Sequence, residues 1–185
     1  IEVITARGEI LSGNATGGGT ANSYCAGIAQ KADDPSENAR SVGFLLRFGK
    51  FRFLDLADLT WNKEMEVACP LNKVGEVDLY LTNHHGLWAS NNPALVHALK
   101  AKAMVMNNGQ KKGGEAEAID SMRKAPGLQG FWQLHYSVPA GKDHNVEDPY
   151  IANLTEPGGF HIVVTAKEDG HFTVLNERNK FKKSY

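Results

Sequence analysis

Two short stretches carry the residue types from which a metal-assisted or acid–base site can be assembled. The first is Leu54-Asp55-Leu56-Ala57-Asp58-Leu59-Thr60, an apolar run that ends on a carboxylate. A carboxylate released from the end of a strand can ligate or bridge a divalent metal, and an Asp in front of a helix can equally serve as its N-cap. The second is Asn83-His84-His85-Gly86, which closes the run Val77-Asp78-Leu79-Tyr80-Leu81-Thr82. Neutral imidazole is a common ligand for zinc and related metals. On extended backbone two adjacent histidines point apart. One is therefore expected to bind a given metal and the other to support it or to face substrate. Gly86 permits a sharp turn after them. A third stretch, residues 107–114, offers Asn108, Lys111 and Lys112. Amide and ammonium groups there can hold an anionic substrate group, and a solvated loop is the plain alternative.

Aiming these groups into one cleft requires strands that end on the same edge of a sheet. Residues 42–48 and 51–56 read as a hairpin through Gly49-Lys50. Residues 59–69, with Glu64 and Glu66, read as a short helix after Asp58, and residues 77–82 as the strand that leads into His84. One helix separates those two strands, so they can be neighbours in the sheet. Residues 93–100 read as a helix capped by Asn91 or Asn92 with Pro93 in its first turn. Residues 103–106 read as a short buried strand. Residues 115–124 read as a helix closed by Pro126-Gly127, and residues 131–135 as a strand. Residues 32–40 and 141–149 read as polar loops. Residues 159–166 and 171–176 form a hairpin through Asp169-Gly170. Residues 1–11 make one or two strands. The pattern predicts a single α/β domain over residues 1–185 with a mixed β-sheet and flanking helices.

The 185 residues suffice for a real core, and 42% hydrophobic with 22% charged content fits an ordinary globular chain. The net charge of −1 and the lack of a basic patch give no reason to expect nucleic acid. The tail residues Arg178, Lys180, Lys182 and Lys183 read as a solvated end. No membrane segment is expected, since no apolar run reaches the length of a spanning helix. Cys25 and Cys69 are read as buried free thiols or as one disulfide, and no spacing rule decides. Gly17-Gly18-Gly19 lacks the Lys-Ser/Thr ending of a phosphate cradle. His135 reads as a packed strand histidine. The composition leaves the compartment open.

The hairpin from Ser41 to Leu54, the turn at Asp58 and the run Val77–Gly86 together resemble the C-terminal half of a metallo-β-lactamase-fold hydrolase. The most similar branch is the ComEC-like one. Its pattern runs N-x-x-S, an apolar strand, a G-D-L turn, then D-x-x-x-x-x-H-H-G-S, and Asn38 and Ser41 fit the start. The resemblance covers about residues 38–110. It implies half of an αββα sandwich and a site holding two zinc ions, with a hydroxide between them attacking an ester or phosphoester of a small-molecule substrate. Asp58 would then be the bridging carboxylate, with His84 or His85 a ligand of the second metal. Three departures stand out. Ala57 replaces the Gly of G-D. Leu87-Trp88 follows where Ser is usual. The signature His-x-His-x-Asp-His is absent, since no two of the seven histidines have its spacing. The expectation is a partial domain whose N-terminal half lies outside these residues, binding metal weakly and turning over little by itself. The rival expectation is a non-catalytic or degenerate binding module of the same fold.

Overall fold

In the computed structural model, which describes residues 1–185, the N-terminal apolar run breaks at Arg7-Gly8 into β1 (Glu2–Ala6) and β2 (Glu9–Ile10). Both turn residues have positive φ, 57° and 84°, as a tight two-residue hairpin connection requires. The order continues with β3 (Thr20–Ala21), β4 (Gly43–Phe48), β5 (Phe51–Asp55), α1 (Trp61–Ala68), β6 (Leu71–Asn72), β7 (Leu79–Leu81) and α2 (Pro93–Ala98). Then come β8 (Ala103–Met106), α3 (Ala116–Arg123), β9 (Gly130–His135), α4 (Gly141–His144), β10 (Ile151–Asn153), β11 (Ile162–Ala166), β12 (Phe172–Asn176) and β13 (Lys182–Ser184). The fold is mixed α/β.

Eight strands form the main sheet in the order β10-β9-β8-β7-β5-β4-β1-β2. From β5 to β10 the neighbours are parallel, and β4, β1 and β2 are added antiparallel. The strands leading into Asp58 and His84 lie side by side, with Leu54 opposite Tyr80 and Asp55 opposite Leu81. Alternation of side chains along each strand sorts two faces. Leu45, Leu54, Tyr80 and Met104 face α1, α2 and α3 and pack with Val67, Leu95, Val96, Ile119 and Met122. Phe51, Leu79, Ala103 and Trp132 face the opposite way and pack with Phe172 and Val174 of the three-stranded sheet β11-β12-β13. Each fully buried aliphatic or aromatic side chain in these layers contributes on the order of 1.5–3 kcal/mol. No helix is long and apolar enough to cross a membrane.

One expectation is corrected. Residues 141–149 hold the short α4 and a 3-10 turn at Asp148–Tyr150, where a loop was expected. The basic tail keeps Lys180 and Lys182 exposed to solvent and is also ordered into a sheet. It pairs as β13 with β12, and Tyr185 stacks on Phe172 with ring centroids 4.8 Å apart while its hydroxyl accepts from the Trp132 indole at 3.0 Å. Cys25 and Cys69 form a disulfide, with Cα atoms 5.8 Å apart, and neither is a free thiol. Asn22 brings them together. Its side chain caps the turn Ser23–Cys25, and its amide donates to the carbonyls of Ala68 and Ala94 at 2.9 Å each.

Candidate functional site

Asp58 lies on the turn between β5 and α1. Asp55, at the end of β5, accepts a hydrogen bond from Ala57 N at 2.8 Å, and Ala57 takes the left-handed conformation with φ 53°. That reversal presents Asp58 beyond the sheet edge. Its N-cap reading fails, because the residue before α1 is Thr60 and makes no side-chain cap. The Asp58 side chain is 36% exposed, so the carboxylate is reachable from solvent.

The expectation of extended backbone at the histidines is overturned. His84 (φ 50°, ψ 43°) and His85 (φ 57°, ψ 21°) are both left-handed, and Gly86 follows with φ 77°. Consecutive left-handed residues cost of order 1–2 kcal/mol each for residues other than glycine, and the surrounding contacts must hold them. Those contacts are specific. His84 N donates to Ala57 O at 2.9 Å, which ties the histidine turn to the aspartate turn. Gly114 N donates to His85 O at 2.8 Å, and Glu115 N to Gly86 O at 3.0 Å. Gly113, at φ 75°, lies so close that a Cβ there would sit 2.0 Å from His85 O, so only glycine fits.

The hydrogen-bond partners assign the ring protons. His85 Nδ1 lies 3.0 Å from the Asn107 carbonyl, which can only accept, so Nδ1 carries the proton. Its Nε2 lies 3.7 Å from Asp58 Oδ1. His84 Nε2 lies 3.3 Å from the Asn38 amide nitrogen, which donates, leaving Nδ1 to donate to Ser90 Oγ at 3.3 Å. Burial holds the His84 imidazole below its ordinary pKa. His85 and Lys112 add to this, and Asp58 and Asp34 oppose it. Both rings are anchored through Nδ1, as is usual for metal-ligating histidines; Nε2 of His85 faces Asp58, while Nε2 of His84 is engaged by the Asn38 amide.

Of the remaining predicted residues, Asn108 is buried. Its amide donates to the carbonyls of Gly109 and His135 at 3.0 and 2.8 Å and accepts from His135 N at 3.3 Å, so it fastens the 107–114 loop to β9. Lys111 and Lys112 are exposed on that loop, and the charge of Lys112 is felt at His84. The Gly17-Gly18-Gly19 loop serves packing: a Cβ on Gly18 would sit 2.0 Å from Lys73 O. His135 is partly buried on β9, 3.7 Å from Glu156.

Sequence reasoning missed the support beneath the turn. Glu64 of α1 is fully buried, and burial pushes its carboxyl up to about 7 against three hydrogen bonds that favour the charged form. Those bonds come from the Asn83 side-chain amide and from Asn91 N and Asn92 N at 2.9 and 2.7 Å. It also missed a strap formed by residues 29–40. The Trp61 indole donates to Ala29 O, Asn62 pairs with the Lys31 backbone, and the Lys31 ammonium donates to Trp88 O. That ammonium lies 3.6 Å from the Trp61 ring centre and 4.6 Å from that of Trp88. The density of Asn and Ser around the histidines was the available signal, because such residues concentrate where backbone must be held in irregular conformations.

No cluster of three or more His, Cys, Asp or Glu side chains is placed to hold a metal ion. The chain matches no family model, no curated protein and no solved structure significantly.

Proposed function

We propose that Asp58, His84 and His85 form half of a two-zinc hydrolase site of the metallo-β-lactamase fold, acting on an ester or phosphoester. The observation that carries this reading is the paired anchoring of both imidazoles through Nδ1, with His85 Nε2 3.7 Å from the Asp58 carboxylate. Two zinc bonds of about 2.0–2.2 Å can span that separation, so one ion fits between them. Zinc bound there would supply Lewis-acid activation of the ester and acidify an attacking water. The chain's own groups hold and orient. Asp58 and His85 would hold the ion, His84 would turn its Nε2 to it on release from the Asn38 amide, and Lys111 and Lys112 would attract an anionic substrate group. Asn108 secures the loop that carries the lysines.

Catalytic zinc takes three protein ligands as a rule, and this set falls short for two ions. The remaining ligands would come from a second segment packed on the main sheet. The second reading is a binding module of the same fold without catalysis.

Zinc titration by calorimetry separates them. The half-site reading expects weak binding by the 185-residue chain, abolished by Asp58→Ala and by His85→Ala. Tight stoichiometric binding would overturn the half-site, and binding indifferent to both substitutions would overturn the ligand assignment.

A further inference from the structure

Glu64 touches none of the three groups in the site, yet it is the centre of the polar network beneath them. It projects from α1, the helix that follows Asp58, into the loop that runs from β7 through the histidines to α2. All three donors it accepts from lie on that loop: the Asn83 amide and the backbone N–H groups of Asn91 and Asn92. Around them the loop is cross-tied. The Asn91 amide donates to Asn83 O at 2.9 Å and Leu87 O at 3.0 Å, Asn83 N donates to Tyr80 OH at 3.2 Å, and Asn92 caps α2 through Ala94 N at 2.9 Å. Asn83, Ser90, Asn91 and Asn92 are all fully buried.

A buried carboxylate is an expensive way to fill space, and an apolar residue would pack α1 as well. What a carboxylate does here is accept from several backbone and side-chain donors at once. It thereby closes a loop that contains left-handed His84, His85 and Gly86 at one end and left-handed Asn91 at the other. The residue just before Asn91 is Ser90, whose hydroxyl meets His84 Nδ1. The residue just before His84 is Asn83. Glu64 therefore grips both flanks of the pair that sets the His84 ring.

We propose that Glu64 is the positioning residue of the candidate site: by closing the 83–92 loop it sets Ser90 against His84 Nδ1 and so holds the ring in the Nδ1–H form, with the Nε2 lone pair against the Asn38 amide. The significance of that lone pair for metal rests on the function proposed above, and the geometric claim stands apart from it.

The test is nitrogen-15 NMR of the imidazole tautomers in the whole chain, alongside zinc affinity. In the wild type, His84 is expected as the Nδ1–H tautomer. Glu64→Gln keeps the shape but sets an amide donor against the loop's donors. The His84 signal should then shift towards the Nε2–H form that free imidazole favours. Ser90→Ala should reproduce the shift. Val67→Ala, a cavity in the same helix outside the network, should destabilise the fold and leave the tautomer unchanged. If Glu64→Gln does not fold, Asn83→Ala, which removes one donor, is read in the same way. An unshifted His84 in a folded Glu64→Gln or Asn83→Ala chain overturns the proposal, as does an equal shift in Val67→Ala. Zinc affinity should fall by about 10–100-fold with Glu64→Gln, the scale usual for outer-shell partners. If zinc binding ignores Asp58→Ala and His85→Ala, the metal reading fails, and the tautomer result still decides the role of Glu64.

Discussion

Ala57 shows how far single residues are pressed to make the aspartate turn. Its φ of 53° belongs to the region that glycine occupies freely, and its carbonyl accepts from His84 N. An alanine held there costs of order 1–2 kcal/mol, partly offset by the extra freedom glycine would have in the unfolded chain. Ala57→Gly should therefore stabilise the protein by about 0.5–1 kcal/mol, measured by urea unfolding. A loss of stability would show that the Ala57 methyl contributes packing that outweighs the strain. The same residue marks what the sequence could and could not show. That an Asp-bearing turn stood here was plain from the apolar run ending on Asp58. That the turn needed a left-handed residue showed only through the resemblance, in which Ala57 stands where Gly is usual, because alanine carries no such signal by itself. The histidines were likewise visible as residues and opaque as geometry: two adjacent left-handed residues follow no propensity and are imposed by Gly113, Gly114 and the Glu64 network from other parts of the chain.

Among the elements, those with strong periodicity and clean turn residues were legible. The hairpin β4–β5, the helix α1 and the hairpin β11–β12 all lie within the predicted spans, since alternation of buried and exposed positions or a capped apolar stripe defines each locally. The two-residue strands β3 and β6 were not legible. They exist because Thr20 and Ala21 pair with Asn72 and Leu71 across 50 residues of chain, and no short window contains that information. The disulfide belongs to the same class. It joins Cys25, just ahead of the strap, to the residue that ends α1, with a sequence separation of 44. In the chain-entropy description a loop of that length stabilises the fold by about 4 kcal/mol. The double variant Cys25→Ala/Cys69→Ala should lower unfolding free energy by about 2–4 kcal/mol, and the reduced wild type should behave alike. A change below about 1 kcal/mol would mean that Asn22 and its neighbours hold the strap without the cross-link.

At the scale of the whole molecule, two apolar layers back one sheet, and Trp132 links the smaller of them to the C-terminal strands. Its ring meets Tyr150 at 4.8 Å and Phe181 at 5.5 Å, and its indole reaches Tyr185. Trp132→Ala should cost about 3–5 kcal/mol and loosen β13, whereas Phe48→Ala, 45% exposed on β4, should stay within about 0.5 kcal/mol. Thermal denaturation of both variants tests the contrast. The arrangement of the sheet itself, with β5 beside β7, followed from the single intervening helix. The placement of the three-stranded sheet on the far face did not, because the strands of both sheets carry the same apolar alternation and nothing in the chain says which surfaces meet.

The three tryptophans are divided between these regions. Trp61, the first residue of α1, and Trp88, just after the histidine turn, sit with ring centres 4.9 Å apart and the Lys31 ammonium against both, and Trp132 lies across the sheet in the other apolar layer. Indole emission is sensitive to a neighbouring positive charge. In a Trp132→Phe background the remaining fluorescence arises only beside the candidate site, so the protein carries its own optical gauge of whether the strap is seated or lifted, readable without any label.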